Sequence, residues 1–386
     1  MQLYSYKSVL FATIKGVEST SNILIIGGGI TGTALAALLE QKGIIADVVE
    51  KAPDWGKEGF GITIMPTGLE VLRKLGLVTI ARDGGVSAQS LRILTQTGKL
   101  VRQFHIKADG IDSITLDRKY LHDALRHRLK KTRIHMGTSV SMLVHKDNGV
   151  EVTFTDGKVR TYALVIGADG VHSITRSLIF PGVGPVYSGA AVWTFFLPDG
   201  VKLESNDNVL QVWNDREFMG VFPSKVHSAV TFSAPLDRNI DINNYDLDKH
   251  FEDVKFLAHD ILSKIQTKDM YSGFLNEMKL GTWYEDRVIL AGDAAHSMMP
   301  ATGMGASMGL QDAYVLATLI GKTPSEDWAN IGKQYQHVRK HVVDRVQRDA
   351  HTLGHVMLWE SPLKDLRNTA LKLIPQFVIS HSIKTQ

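Results

Sequence analysis

The 386-residue sequence predicts an α/β fold: a parallel-sheet nucleotide-binding domain, interrupted by an antiparallel-sheet domain and followed by C-terminal helices. Three observations carry this reading. Short apolar strands near 23–26, 163–166 and 288–291 each run into a glycine-bearing turn. The first of these turns opens an Ala/Leu-rich helix. Between the second and third, residues 186–236 change character to alternating and aromatic segments.

The first element is the most informative. Residues 23–50 read ILIIGGGITGTALAALLEQKGIIADVVE. Strand Ile23–Ile26 enters Gly27-x-Gly29-x-x-Gly32, a helix runs to about Gln41, and a second strand, Asp47–Val49, ends on Glu50. Gly27 permits the tight turn, Gly29 lets backbone approach a pyrophosphate, and Gly32 lets the helix pack on the sheet. The helix N-terminus offers free N–H groups and a positive dipole to phosphates. Glu50, eighteen residues beyond Gly32, is placed to accept hydrogen bonds from an adenosine ribose. Ile30, Thr31, Lys51 and Gly61 are counted with them as cofactor-binding candidates. Strand, helix and acid together predict a Rossmann-like unit.

The later elements follow in order. Glycines at 56, 59 and 61 predict a loop, and Pro66 suits the first turn of a helix reaching about Leu75. Residues 89–106 read as two strands joined at Thr97-Gly98. Residues 117–131 have apolar positions at 121, 125 and 129 and predict one helix. Strands are expected near 133–145 and 150–154, with a hairpin at Asp156-Gly157 leading into Ala163–Ile166. Residues 186–236 predict a separate antiparallel sheet. A helix is expected over 305–320, then a helical tail broken at Ser361-Pro362 and interrupted again at Pro375. The domain division is therefore 22–88, 112–185 and 281–326 for the nucleotide domain, and 89–111 with 186–280 for the sheet domain. Residues 1–21 form an N-terminal extension and 327–386 a helical segment.

Composition narrows the function. Hydrophobic residues at 44% and charged residues at 22% fit a globular chain rather than a disordered one. A net charge of +3, evenly spread, gives no reason to expect a nucleic-acid partner. The absence of cysteine removes disulfides, thiolate metal sites, iron–sulfur ligation and dithiol redox chemistry. No apolar run approaches the roughly 20 residues that cross a bilayer, and residues 1–21 make a poor signal peptide, so a cytoplasmic protein is expected. The histidines lack metal-ligand spacing and no nucleophile elbow is present, so no metal site and no catalytic side chain is assigned.

Two further motifs complete the pattern. The second is Ile166-Gly-Ala-Asp-Gly-Val-His-Ser, where a strand ends on Asp169-Gly170 and a helix begins near Ser173. The third is Val288-Ile-Leu-Ala-Gly-Asp-Ala-Ala-His296, continuing through Pro300 into the small-residue loop Gly303–Ser307. An aspartate at a strand end suits a ribityl or ribose hydroxyl, and a glycine-rich loop before a helix can place N–H groups against a ring or anion. His296 is expected to pack rather than react.

Three such motifs in this order resemble the class A FAD-dependent monooxygenases of the para-hydroxybenzoate hydroxylase fold, over residues 22 to about 375. The resemblance implies that the glycines hold the FAD pyrophosphate and that Glu50 holds the adenosine ribose. It implies that Arg118 reaches the phosphate and ribityl region, and that Val140 meets the adenine through its backbone. Asp169-Gly170 serves both FAD and the reductant, and Asp293 binds the ribityl chain. Pro300, Gly303, Met304, Gly305, Ala306 and Ser307 lie by the isoalloxazine. Many members carry GQGAN where this chain has Gly303-Met-Gly-Ala-Ser307, which puts side-chain contacts at Met304 and Ser307 in doubt. The GMG form is also similar to tetracycline-inactivating and polyketide-tailoring relatives, a pointer to such substrates and to antibiotic resistance.

The same resemblance implies the chemistry. NADPH or NADH reduces FAD, the reduced flavin adds dioxygen at C4a to give a hydroperoxide, and the distal oxygen passes to an electron-rich carbon of an aromatic or polyketide-like molecule. Water must be excluded meanwhile. The expected substrate pocket is Trp193, Phe195, Gln211, Trp213, Met219, Phe222 and Pro300, in a monomer or homodimer. Three alternatives stay open: a reductase, a halogenase-fold relative (whose W-x-W-x-I-P signature is absent), or a non-catalytic flavin- or ligand-binding protein.

Overall fold

A computed structural model describes residues 22–55, 59–106, 112–201, 203, 207–266 and 269–374. Residues 1–21 and Pro375 lie outside the described residues. In chain order the first third contains β1 (Ile23–Ile26), α1 (Ile30–Glu40), β2 (Asp47–Glu50), β3 (Gly61–Ile64), α2 (Pro66–Lys74) and α3 (Val78–Gly84). It continues with β4 (Ser90–Leu94), β5 (Leu100–Phe104), β6 (Ile114–Asp117) and α4 (Arg118–Arg126). Next come β7 (Ile134–Met136), β8 (Val140–Lys146), β9 (Gly149–Phe154), β10 (Val159–Tyr162), β11 (Leu164–Gly167) and α5 (Ile174–Ile179). The middle carries β12 (Val186–Phe196), β13 (Asn208–Trp213), β14 (Phe218–Phe222), β15 (Ala229–Pro235), α6 (Leu247–His250), α7 (Ala258–Leu262) and β16 (Tyr271–Glu277). The chain closes with β17 (Tyr284–Glu285), β18 (Val288–Leu290), α8 (Asp293–His296), α9 (Gly305–Ile320), α10 (Ile331–Met357) and α11 (Leu363–Leu373).

The fold class is the predicted one. Strands β18, β11, β1, β2 and β7 form a parallel sheet, with β17 antiparallel on its edge. Its central strands are buried on both faces, which is why ILII and LVIG read as unbroken apolar runs. Helix α1 packs against α9, and both carry small residues at the contact. All three motif turns therefore lie at the carboxyl ends of neighbouring parallel strands, where open α/β sheets bind ligands.

The second sheet departs from expectation. It is mixed rather than antiparallel, in the order β16-β12-β15-β14-β13-β4-β5. The pair β13–β4 is parallel, so the 90–104 hairpin extends the sheet formed by residues 186–277. Two local expectations are also corrected. The Asp156-Gly157 hairpin joins β9 to β10, which then precedes β11. Helix α4 stops at Arg126 instead of 131, because the Glu40 carboxylate accepts the backbone N–H groups of Lys130, Lys131 and Thr132 at 2.8, 2.9 and 3.0 Å. Those three residues wrap the carboxylate and cannot continue the helix. The tail is helical, with α10 and α11 separated at Ser361-Pro362. Among the described residues, no helix is long and apolar enough to cross a membrane.

Candidate cofactor and substrate cleft

The three glycines of the first turn face different surroundings. Gly27 has φ +105°, and a Cβ there would lie 2.4 Å from the Ala168 carbonyl oxygen. At Gly32 a Cβ would lie 2.0 Å from the Gly27 carbonyl oxygen, so α1 seats directly on the turn. Gly29 is the N-cap of α1, and a Cβ there would meet no heavy atom within 4 Å. The unbonded N–H groups of the first helical turn thus open onto empty space. The turn is braced from behind. The Gly28 carbonyl takes Thr33 Oγ1 at 2.7 Å and His122 Nε2 at 2.6 Å. Trp55 covers Gly28 and stacks under the Arg126 guanidinium at 4.3 Å. Glu50 accepts the N–H of Gly28 and of Ala52, each at 2.9 Å, which fixes its carboxylate beside the turn.

The second motif is anchored by its own aspartate. Asp169 accepts from Ser173 Oγ at 2.6 Å, Thr175 N–H at 2.9 Å and Thr175 Oγ1 at 3.0 Å. Its carboxylate is therefore occupied in capping α5, although Asp169 and Gly170 still border the cleft. Buried Arg176 then ties the second motif to the third, donating to the carbonyls of Val171 at 2.8 Å and Ala294 at 3.0 Å. Burial lowers the Arg176 pKa, opposed by nearby Asp169.

In the third motif, Gly292 sits at φ +60° against Thr31, where a Cβ would lie 2.7 Å from Oγ1. Its neighbour Asp293 is exposed to the cleft, while Ala294, Ala295 and His296 are buried. Behind them Asp312 is fully buried. It accepts Gly292 N–H at 2.9 Å, His296 Nε2 at 2.5 Å and Arg339 Nε at 2.8 Å. His296 packs on Trp283, away from the cleft. Pro300–Thr302 forms a 3-10 turn, Gly303 takes φ +66°, and α9 starts at Gly305, where a Cβ would meet nothing within 4 Å.

One cavity of about 1000 Å³ joins these features. Its walls include Gly27, Gly29, Ile30, Thr31, Glu50, Lys51, Gly61, Arg118, Asp169, Gly170, Asp293, Pro300, Gly303, Gly305 and Ala306. Four candidate cofactor residues stand back from it. Gly32 is a packing contact, and Met304 is buried in the core. Ser307 accepts the Met65 N–H at 2.9 Å, and Val140 is buried while Ser139 takes the wall position.

The mixed sheet roofs the other end of the cavity, and its strand alternation decides which side chains enter. Gln211, Trp213, Phe222 and Pro300 line the cavity as expected. Trp193, Phe195 and Met219 do not. They point to the opposite face, into a core closed by α6 and α7: Trp193 stacks on Tyr245, and Phe195 on Phe232. The cavity receives their neighbours Val192, Thr194 and Phe218, together with Thr231 and Ser233. Sequence reading missed these, as it missed Leu91, Ile93 and Phe104 from the β4–β5 hairpin and Leu353, Met357 and Leu371 from the C-terminal helices. A hydroxyl at alternate positions of an apolar strand (Thr194, Thr231, Ser233) was the available signal for the first group. Among the described residues no group of three His, Asp or Glu side chains could hold a metal ion.

The model of the FAD-binding-domain family matches residues 20–350. The chain belongs to this family. It is 29% identical over 365 residues to 2-heptyl-3-hydroxy-4(1H)-quinolone synthase of Pseudomonas aeruginosa (strain UCBPP-PA14), covering 92% of this chain and 94% of that protein. It is 27% identical over 354 residues to aurachin C monooxygenase/isomerase of Stigmatella aurantiaca, covering 88% and 90%. Among solved structures, Klebsiella pneumoniae HpxO complexed with FAD and uric acid superposes with a TM-score of 0.86 at 22% identity, covering 94% of this chain and 95% of that one. This chain is an FAD-dependent monooxygenase of class A.

Proposed function

We propose that the protein uses NADPH or NADH and dioxygen to hydroxylate an aromatic or polyketide-like small molecule in the sheet-roofed chamber. The observation that carries this reading is the single cavity joining Gly29, Glu50, Arg118 and Asp293 to Gln211, Thr194 and Thr231. FAD fits the residues present. The space a Cβ would fill at Gly29, and again at Gly305, is empty of protein, and Asp293, exposed in an otherwise buried motif, lines the same cavity.

The α1 N-terminus at Gly29–Thr31 would take the pyrophosphate, Glu50 the adenosine ribose, Arg118 the phosphate side and Asp293 the ribityl hydroxyls. The stretch from Pro300 to Ala306 would back the ring system through backbone N–H groups. When bound, FAD supplies two-electron redox chemistry and dioxygen activation. The protein's own contribution is positioning and dryness. Gln211 and the Thr194–Thr231 hydroxyl pair, 3.2 Å apart, orient a ring, and α10 with α11 cover the chamber against water. No side chain is assigned a proton-transfer role. One relative is named for a heteroaromatic product, 2-heptyl-3-hydroxy-4(1H)-quinolone, which supports the substrate class; a cytoplasmic setting is part of the same proposal.

The test is to purify the protein, confirm bound FAD by its absorbance, and screen phenolic, heteroaromatic and tetracycline-like compounds. Stimulated NAD(P)H consumption with matching oxygen uptake and a product heavier by one oxygen supports the proposal. NAD(P)H oxidation without oxygen uptake would turn it into a reductase.

A further inference from the structure

The roof of the cavity is graded across the sheet. At its β12–β15 side the cavity-facing positions include three hydroxyl-bearing residues, Thr194, Thr231 and Ser233, beside Val192 and Ala229. Crossing β14 and β13 to β4 and β5, they become hydrocarbon. Ile93, Phe104, Trp213 and Phe218 there pack with Leu353 and Met357 of α10 as one cluster, and all six also line the cavity. None of the six is charged. The indole N–H of Trp213 is held by Gln211 Oε1 at 3.0 Å. These six side chains therefore offer a guest no free hydrogen-bond partner, although Asp349 and Thr352 of α10 border the same cavity. The same bond fixes the Gln211 amide: its oxygen faces Trp213, so its NH₂ group is left as a donor at the boundary between the polar and apolar regions.

The slot is built rather than incidental. Arg367, buried on α11, donates to the Met357 carbonyl at 2.7 Å, the Val356 carbonyl at 3.3 Å and the Trp213 carbonyl at 3.1 Å. One guanidinium thus bolts the end of α10 and the whole of α11 onto β13, and Arg102 of β5 reaches the Ile374 carbonyl at 2.9 Å. Three elements distant in sequence are locked around a space whose walls here are mainly hydrocarbon and favour apolar groups.

We propose that the substrate is amphiphilic. Its planar ring presents an oxygen acceptor to the Gln211 NH₂ group, and an aliphatic chain of several carbons lies in the slot between β4–β5–β13 and α10–α11. This rests on the monooxygenase reading above and specifies the substrate that reading leaves general.

The experiment uses the FAD-loaded protein and 4(1H)-quinolones carrying methyl, pentyl, heptyl or nonyl at the 2-position. Binding is read from the change in flavin absorbance, and turnover separately from oxygen uptake. The expected result is a Kd that falls about threefold per added methylene until the slot is full. Leu353→Trp and Leu371→Trp, both at half-buried positions, narrow the slot and collapse the ratio between methyl and nonyl affinities. FAD content and thermal melting verify that each variant folds, and either variant alone suffices. A Kd independent of chain length, no binding by any member, or an unaltered ratio in a folded variant overturns the proposal. Chain-length-dependent binding without NAD(P)H-driven oxygen uptake would instead leave the slot standing and sink the monooxygenase reading.

Discussion

The carboxylate of Asp312 holds the backbone N–H of Gly292 at 2.9 Å, although twenty residues separate them. Burial alone would raise this carboxyl's pKa, but His296 and Arg339 outweigh it and keep Asp312 far below the usual carboxylate range. A depressed pKa contributes stability that is present above the unfolded-state value and lost as pH falls toward the folded one. Asp312→Asn should therefore destabilise the protein by about 3–5 kcal/mol at neutral pH, since it leaves Arg339 poorly paired. The deficit should shrink progressively below about pH 5 in urea titrations.

Gly29 and Gly32 should separate binding from folding. Gly29→Val places its side chain in the open cleft, so it should abolish FAD retention while melting like the FAD-free wild type. Gly32→Val drives a Cβ into the Gly27 carbonyl and should lose folded protein outright. Absorbance of retained flavin, read beside a melt, distinguishes the two outcomes.

Asp293 and His296 should divide in the same way. Asp293→Ala removes an exposed cleft carboxylate and should cost most of the FAD affinity with little change in the FAD-free melt. His296→Ala empties a buried site and removes one partner of Asp312, so about 2–4 kcal/mol of stability should go while FAD is still bound. Flavin titration by fluorescence measures both.

On the sheet, Trp193→Ala should cost about 3–5 kcal/mol of stability and leave ligand affinity within about twofold, because that ring faces the α6–α7 core. Gln211→Leu should weaken ligand binding about tenfold or more while costing only about 1–3 kcal/mol of stability, from the Trp213 N–H left unpartnered. Denaturant curves and ligand titrations on both variants test the assignment of the two faces.

Glu217 is buried, and desolvation raises its pKa despite the hydrogen bond from Asn214 at 2.7 Å. An acid with a raised folded-state pKa favours the folded state at low pH, and that contribution disappears as pH rises through the folded value. Glu217→Gln should therefore stabilise the protein at pH 7–8, with the gain vanishing toward about pH 4. Melting temperatures across that range provide the check.

The nucleotide half was legible because its constraints act on backbone. Gly27, Gly29 and Gly32 stand where a Cβ is forbidden or unwanted, and a spacing rule can find such positions. The roof of the chamber was not legible in the same way. Strand β12 is apolar at both parities, with Val192 and Trp193 equally plausible as lining, so sequence gave no phase for its alternation. Aromatic size favoured Trp193 and Phe195, yet those large rings fill the wider core on the far side. The helix wall at Leu353 and Met357 depends on Arg367 reaching Trp213 across 154 residues, and no local pattern encodes that bond.

The parallel pairing of β4 with β13 fixes a timetable for biogenesis. Ser90 meets Asn208 through a side-chain hydrogen bond spanning 118 residues. A chain emerging N-terminus first must carry the 90–104 hairpin with one edge bare until the ribosome has passed residue 213. During that interval the segment is a template for wrong partners, so holdase chaperones should matter more to yield than to the finished molecule. A circular permutant beginning near residue 208 would reverse the order, synthesising β13 before its neighbour.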